Sequence, residues 1–102
     1  MTAVRTLEEL TGEPHATVFP DAEPKTIRLA LDAGESVAPH THPGRDIVLH
    51  LIEGAIELQV GGATHEVTAG DVARFSGDRD ISPRALDDSV AVIVLAERSE
   101  DE

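Results

Sequence analysis

Short apolar segments separated by turn residues run through the chain from Ala16 to Ala96. They recur about every eight to twelve residues, are rich in Val, Ile, Leu and Thr, and are bounded by Gly, Pro and Asp, which is typical of all-β domains. The clearest segment alternates Ile27, Leu29 and Leu31 with a second face that carries Arg28, as a strand wetted on one side does. The pattern predicts strands at residues 16–19, 25–31, 35–40, 46–53, 55–60, 63–67, 71–75, 81–86 and 89–96.

Local signals within and before this region add detail. Gly61-Gly62 follows an alternating run and supplies the positive φ of a two-residue hairpin turn. Residues 90–96 lack alternation, which predicts a strand covered on both faces. Before the strands, Thr6 and Glu9 have the spacing of a capping box, so a short N-terminal helical turn is expected. Because closure removes exposed strand edges, so many short strands favour a sandwich or a barrel.

The composition restricts the organisation and the partners of the protein. With 102 residues the chain is predicted to form one domain, with a barrel core at about 16–96 and an acidic tail at 97–102. It has no cysteine, so strong metal ligands are restricted to His, Asp and Glu. A net charge of −12 opposes binding to nucleic acid and to anionic membranes, and the sequence shows no signal-like or membrane-spanning apolar run, so a cytoplasmic protein is expected.

The 20 acidic residues, set against 8 basic ones, have two interpretations. They form the ordinary surface of an acidic protein, or they are a halophilic adaptation to a salt-rich cytoplasm, where ions screen the repulsion between carboxylates. The second interpretation predicts that the stability of the fold rises with salt concentration.

One histidine pair has an informative spacing. His40 and His42 flank Thr41, so on an extended chain both imidazoles project from the same face, a little under about 7 Å apart. From there both nitrogens can reach one ion at the distances of roughly 2.0–2.2 Å that zinc, iron or manganese require. The alternative is a pair of half-exposed histidines at the end of a strand.

The sequence around this pair resembles the first motif of the cupin superfamily, in which one glycine precedes His-x-His and another follows it. Gly34, His40, His42 and Gly54 fall in register with that motif, and residues 69–75 resemble the start of the second cupin motif. The resemblance covers about residues 27–95. It implies a small double-stranded β-helix, or jelly-roll, cupin barrel, and a divalent metal ion such as Zn, Fe, Mn or Ni held by His40 and His42.

The chain departs from the family pattern at two of the four ligand positions. The expected glutamate falls on Ile47 and the expected third histidine on Ile81. Two histidines alone rarely hold a transition metal tightly, so a site needs other donors nearby. Asp46 and His50 are the candidates, because they share one face of a predicted strand.

Two strand registers decide whether these donors are available. In the first, the donors face the barrel, and the metal site consists of His40, His42, Asp46 and His50. In the second, Ile47, Leu49 and Leu51 face the core, while outward positions suited to a dimer interface are held by Asp46, Val48, His50 and Ile52. The sequence leaves both registers open.

The remaining polar candidates receive no defined role in the site. His15 lies in a loop-like region, and His65 is assigned to the polar face of a strand. Arg74 and Arg84 lie in strands near the second motif, where each either binds an anionic ligand or pairs with one of the surplus acids.

Two functions are consistent with such a chain. The first is a metal-binding cupin with small-molecule chemistry at the ion, for which no catalytic residue is identified. The second is a non-catalytic ligand-binding or regulatory cupin whose barrel is closed by Ile47 and Ile81. A homodimer is expected in addition, because Val48, Ile52 and residues 90–96 offer apolar surface beyond one small core.

Overall fold

The computed structural model of the chain describes residues 2–98, so residues 99–102 of the predicted acidic tail lie outside the described residues. A single 3-10 turn at Leu7–Glu9 precedes eight strands. They are β1 (His15–Thr17), β2 (Lys25–Leu31), β3 (Arg45–Glu53), β4 (Ala55–Val60), β5 (Ala63–Thr68), β6 (Val72–Ser76), β7 (Ile81–Ala85) and β8 (Ser89–Glu97). The prediction of an all-β protein with a short N-terminal helical turn is confirmed. No helix among residues 2–98 has the length and apolar character needed to cross a membrane.

The strands form two antiparallel sheets that enclose one aliphatic core. The larger sheet has the order β1-β2-β8-β3-β6 and the smaller one the order β5-β4-β7. The inward-facing positions of both sheets fill the space between them with Leu29, Leu31, Ile47, Leu49, Leu51, Ile56, Leu58, Val67, Ile81, Ala85, Ala91 and Leu95. The strand pattern predicts a sandwich or a barrel, and the structure has the jelly-roll form that the family resemblance implies.

The hairpin predicted at Gly61-Gly62 is confirmed. Val60 of β4 and Ala63 of β5 are the last paired residues before the turn. Gly61 has a φ of +60°, a left-handed conformation that glycine adopts without a side-chain clash.

Residues 35–40, predicted as a strand, lie alongside β7 but form no regular ladder with it. Two isolated bridges join this segment to β7. Pro83 in β7 has no N–H to donate, and the carbonyl of Val37 instead accepts a hydrogen bond from the hydroxyl of Ser82 at 2.7 Å. A proline in the partner strand therefore interrupts the ladder but leaves the segment beside β7.

The N-terminal segment covers the outer face of β2, which the alternation predicts to be wet. Arg28 is only 7 % exposed there. Its guanidinium donates to the carbonyl of Leu7 at 3.1 Å and to that of Gly12 at 2.8 Å. The predicted solvated face is wrong at this position, because the guanidinium finds its acceptors in the chain that folds over it. The capping box is wrong as well, since the side chain of Thr6 makes no capping hydrogen bond.

The outer face of β3, β6 and β8 carries a partly exposed apolar surface. Val48, Ile52 and Val72 are 37 %, 38 % and 63 % exposed, and we call these three residues the outer apolar patch. The outward valines of β8 next to it are half-buried. The strand predicted to be covered on both faces is therefore partly open on its outer side.

Candidate functional site

A small cavity lies between the two sheets, next to the edge strands β1 and β7. Its volume is about 30 Å³, which is room for one or two water molecules. We call it the histidine cavity, because residues 2–98 contribute three histidines and otherwise only apolar residues to its lining. The lining includes His15, His40, His42, Ile47, Phe75 and Ile81.

His40 is held in place by β7 and by its own ring. Its backbone N–H donates to the carbonyl of Ile81 at 3.1 Å, and its carbonyl accepts from the Ile81 N–H at 2.8 Å. The ring atom Nδ1 lies 3.0 Å from the carbonyl oxygen of Ala38. Because a carbonyl only accepts, Nδ1 carries the proton of the neutral ring, which leaves the lone pair of Nε2 available to an ion.

His42 is positioned by a close approach to Gly77, just after β6. Its N–H donates to the Gly77 carbonyl at 2.7 Å, and the Gly77 N–H donates to the carbonyl of Arg45 at 2.8 Å. A β-carbon on residue 77 would stand 2.3 Å from the carbonyl oxygen of His42 and 3.0 Å from that of Arg45. Only glycine therefore fits against this turn without displacing it.

The carboxylate of Asp78 fixes the same turn two residues after His42, at Gly44. It accepts hydrogen bonds from the Gly44 N–H at 3.0 Å and from Arg98 at 2.7 Å. The hydrogen bond from Arg98, followed by that from Gly44, holds the pKa of Asp78 below its usual value. The turn that carries His42 is thus fastened by two neighbouring residues of one loop.

The imidazoles of His40 and His42 lie side by side, as the His-x-His spacing predicts. Their ring centroids are 4.9 Å apart and their planes cross at 89°, and both rings line the histidine cavity. Partial burial is the main cause that lowers the pKa of His42, and the charge of His40 adds to it. The neutral form of His42, which is the form that coordinates an ion, is therefore favoured.

His15, to which the sequence assigns no role, also lines the histidine cavity. It begins β1 and is paired with Leu29 of β2, so its side chain lies on the same face of the sheet as the buried Leu29. Partial burial, followed by the charge of His40, lowers the pKa of His15 too. Local alternation indicates two faces for β1, but the long-range pairing that turns one of them toward the cavity has no local signal.

Asp46 and His50 lie on the outer side of β3, so the inward register is wrong and so is the four-residue site that depends on it. Ile47, Leu49 and Leu51 face the core and are 2 %, 1 % and 0 % exposed. Burying such branched side chains is favourable by about 1.5–3 kcal/mol each. A carboxylate in their place would cost several kcal/mol, on the order of the penalty for any buried and unpaired ion. The hydrophobic positions therefore set the register.

Asp46, Arg74 and Arg84, whose roles the sequence does not decide, form ion pairs at the surface. Asp46 pairs with Arg74 and with Arg98, each at 3.3 Å. Arg84 pairs with Glu57 across β7 and β4. Of the two assignments open for these arginines, the pairing with surplus acids is the one that the structure shows. His65 is exposed on β5.

The ligand positions implied by the family resemblance hold packed isoleucines. Ile47 and Ile81 are 2 % and 5 % exposed and form part of the cavity wall. Within residues 2–98, no group of three His, Asp or Glu side chains already converges on a point where an ion could be held. The family's ligand set of three histidines and a glutamate therefore does not fit this chain. The pair His40 and His42 does fit an ion as two of its ligands.

The fold and this altered site define a small cupin barrel. The chain belongs to the cupin family, because the family model described as "Cupin domain" matches residues 27–96. A comparison with curated proteins gave no match.

Solved structures show the same fold. A double-stranded beta-helix domain protein from Klebsiella pneumoniae has a TM-score of 0.82 at 22 % identity, with 95 % of this chain and 90 % of that chain covered. A protein described as a predicted oxalate decarboxylase from Thermotoga maritima has a TM-score of 0.80 at 18 % identity, covering 93 % and 99 %. KdgF from Halomonas sp. has a TM-score of 0.71 at 22 % identity, covering 85 % and 80 %. At these identities the likeness concerns the fold alone.

Proposed function

We propose that this cupin binds a divalent metal ion at the histidine cavity through His40 and His42 and presents the ion to a small molecule. The observation that carries the proposal is the orientation of His40. Its Nδ1–H donates to the Ala38 carbonyl at 3.0 Å, which fixes the tautomer that has a free Nε2. Metal-binding histidines almost always donate their other N–H to a carboxylate, a carbonyl or water in this way. Zinc, iron and nickel ions suit imidazole ligands, and manganese is the weaker alternative.

The electrostatics of the cavity support a cation with an anionic partner. The lowered pKa of His42 keeps its imidazole neutral at neutral pH, so its lone pair is available. The described lining contains no carboxylate, so an ion held by two neutral imidazoles would keep its full charge and open coordination positions. A small molecule with a carboxylate or phenolate oxygen suits these positions best. A bound ion would polarise that oxygen as a Lewis acid.

The size of the cavity limits how such a molecule binds. A volume of about 30 Å³ holds one or two water molecules and no organic substrate. The small molecule is therefore expected to bind at the rim of the cavity, with only the coordinating oxygen reaching the ion.

Calorimetric titration tests the metal site. Protein freed of metal with a chelator is titrated with Zn²⁺ and then with Ni²⁺ near neutral pH, and one ion per chain is expected. His40→Ala/His42→Ala should weaken binding by at least about tenfold, which corresponds to 1.4 kcal/mol. His50→Ala/His65→Ala is the matched control, because it also removes two histidines but both are exposed outside the cavity. Equal affinities for the wild type and His40→Ala/His42→Ala would refute the proposal.

A second candidate function is a non-catalytic ligand-binding or regulatory module. It is favoured by the packing of Ile47 and Ile81, which fill the positions where the family resemblance places ligands. The same titration distinguishes the two candidates. A folded wild-type protein that binds neither metal ion would favour this second function.

A further inference from the structure

His15 stands at the histidine cavity on a well-fixed backbone. It begins β1, and its pairing with Leu29 directs its side chain to the inner face of the larger sheet. Just before β1, the carbonyl of Pro14 accepts a hydrogen bond from the Ala30 N–H at 2.8 Å. Just after β1, the Val18 N–H donates to the carbonyl of Thr26 at 2.9 Å. The α-carbon of His15 is therefore held in place, and only its side chain is free to change position.

The surroundings of His15 favour a cation. The described lining of the cavity combines His15, His40 and His42 with apolar residues only, although the chain as a whole carries a net charge of −12. The described lining offers no carboxylate that could pair with an imidazolium. All three imidazoles line the same cavity, and the rings of His40 and His42 lie 4.9 Å apart. A metal ion satisfies all three lone pairs at once.

We infer that His15 is the third protein ligand of the ion, recruited from β1 in place of the ligands lost at Ile47 and Ile81. The inference rests on the proposed function, because it concerns the same ion. Three histidine nitrogens with one open position form the ligand set of a known class of four-coordinate zinc sites. In the structure the three rings do not yet converge on one point. His15 is exposed, and convergence of the three rings would require a change of its side-chain rotamer.

Binding of the ion would then connect β1 with the segment that carries His40, two parts of the chain that no strand pairing among the described residues joins to each other. β1 is an edge strand of the larger sheet, and the segment that carries His40 lies along the edge of the smaller sheet. A shared ligand set would close the barrel between these edges. Metal binding should therefore protect the backbone amides of β1 from hydrogen exchange, which is a readout independent of any activity.

The test combines calorimetry of variants with NMR of the wild type. His15→Ala should bind Zn²⁺ at least about tenfold more weakly than the wild type, the factor equal to 1.4 kcal/mol. His65→Ala, which removes an exposed histidine of β5, should bind like the wild type. In the wild type, Zn²⁺ should shift the ring signals of His15, His40 and His42 and leave those of His65 unchanged. The NMR measurement needs no variant, so it also covers the case in which His15→Ala folds poorly.

The outcomes separate this inference from the proposed function. If the wild type binds Zn²⁺ but His15→Ala binds equally well, His15 is not a ligand and only the inference is overturned. The same holds if affinity falls in His15→Ala while the His15 ring signals of the wild type do not respond, since the effect is then indirect. If the wild type binds no metal, both the inference and the proposed function are overturned.

Discussion

Replacing Ile81 with histidine restores a ligand at a position where the family resemblance expects one. His40 and Ile81 exchange two backbone hydrogen bonds, at 3.1 and 2.8 Å. Such a pair in an antiparallel ladder has α-carbons about 5.5 Å apart. Ile81 already lines the histidine cavity, so an imidazole at residue 81 would stand beside that of His40. We expect Ile81→His to bind Zn²⁺ at least about tenfold more tightly than the wild type, equal to 1.4 kcal/mol.

The same substitution lowers the stability of the metal-free protein. Ile81 is only 5 % exposed, so its loss removes apolar burial and introduces a buried polar ring, at a cost of roughly 2–4 kcal/mol. For a domain of this size, each kcal/mol changes Tm by about 4–8 °C, which gives a decrease of roughly 10–30 °C. A free Zn²⁺ concentration one hundred times Kd stabilises the folded state by about 2.7 kcal/mol. Zinc should therefore recover about 10–20 °C of the loss.

Thermal unfolding followed by circular dichroism, with and without Zn²⁺, measures both effects. Ile81→Thr is the matched control, because it places a polar group at the same buried position but supplies no nitrogen ligand. It should lose stability without recovering it in zinc. The double variant Ile81→His/His40→Ala should lose the gain in affinity. If Ile81→His binds Zn²⁺ no better than the wild type, or if the gain persists without His40, the proposed geometry of the site is refuted.

Four further predictions concern the turn at His42, Asp78, the outer apolar patch and the net charge. Gly77→Ala should displace the turn that carries His42, cost about 1–3 kcal/mol of stability and weaken Zn²⁺ binding; Gly62→Ala, with no atom within 4 Å, is the control for calorimetry and thermal unfolding, and equal effects would contradict the reasoning. Because the folded-state pKa of Asp78 is lowered from 3.8, its contribution to stability is present above that pH and lost as the pH falls below it; Asp78→Asn should therefore show a shallower fall of Tm with pH below about 4, and an unchanged slope would argue against the pairing. The homodimer stays a prediction: if the outer apolar patch is the interface, Val72→Glu should shift the mass measured by light scattering from dimer to monomer, and a monomeric wild type would contradict it. The halophilic interpretation predicts a Tm that rises up to molar KCl, and a flat profile would exclude it.

The fold could be predicted from the sequence wherever local pattern and packing agree. The alternation of β2 and the Gly61-Gly62 turn each specify a local conformation, and the structure has both. The failures arise where a distant residue decides. Pro83 interrupts the pairing of residues 35–40, and the N-terminal segment covers Arg28. For Arg28 the segment itself carries no such signal, whereas residues 35–40 contain Pro39, which also cannot donate to a ladder.

The candidate site shows the same division. The spacing of His40 and His42 alone predicts two neighbouring imidazoles, because side chains two residues apart on an extended chain project from the same face. The register of β3 required a choice between Asp46 facing inward and Ile47 facing inward, and burial of the aliphatic row decided it. The place of His15 at the cavity has no local signal, because a three-residue strand acquires its orientation only from its pairing with β2.

The two isoleucines determine where any chemistry in this barrel has to take place. Ile47 and Ile81 fill the positions at which the family resemblance places ligands, and the space left is about 30 Å³. A ligand larger than water would therefore meet His40 and His42 from the rim of the cavity, on its solvent side. Solvent at a rim weakens the electrostatic interactions that a closed, water-free site strengthens. An ion bound by His40 and His42, as proposed, would be suited to binding and exchanging a small anion, and it would lack the enclosed surroundings that stabilise a charged transition state. This chain therefore has the cupin fold with buried isoleucines at two of the positions where the family resemblance implies ligands.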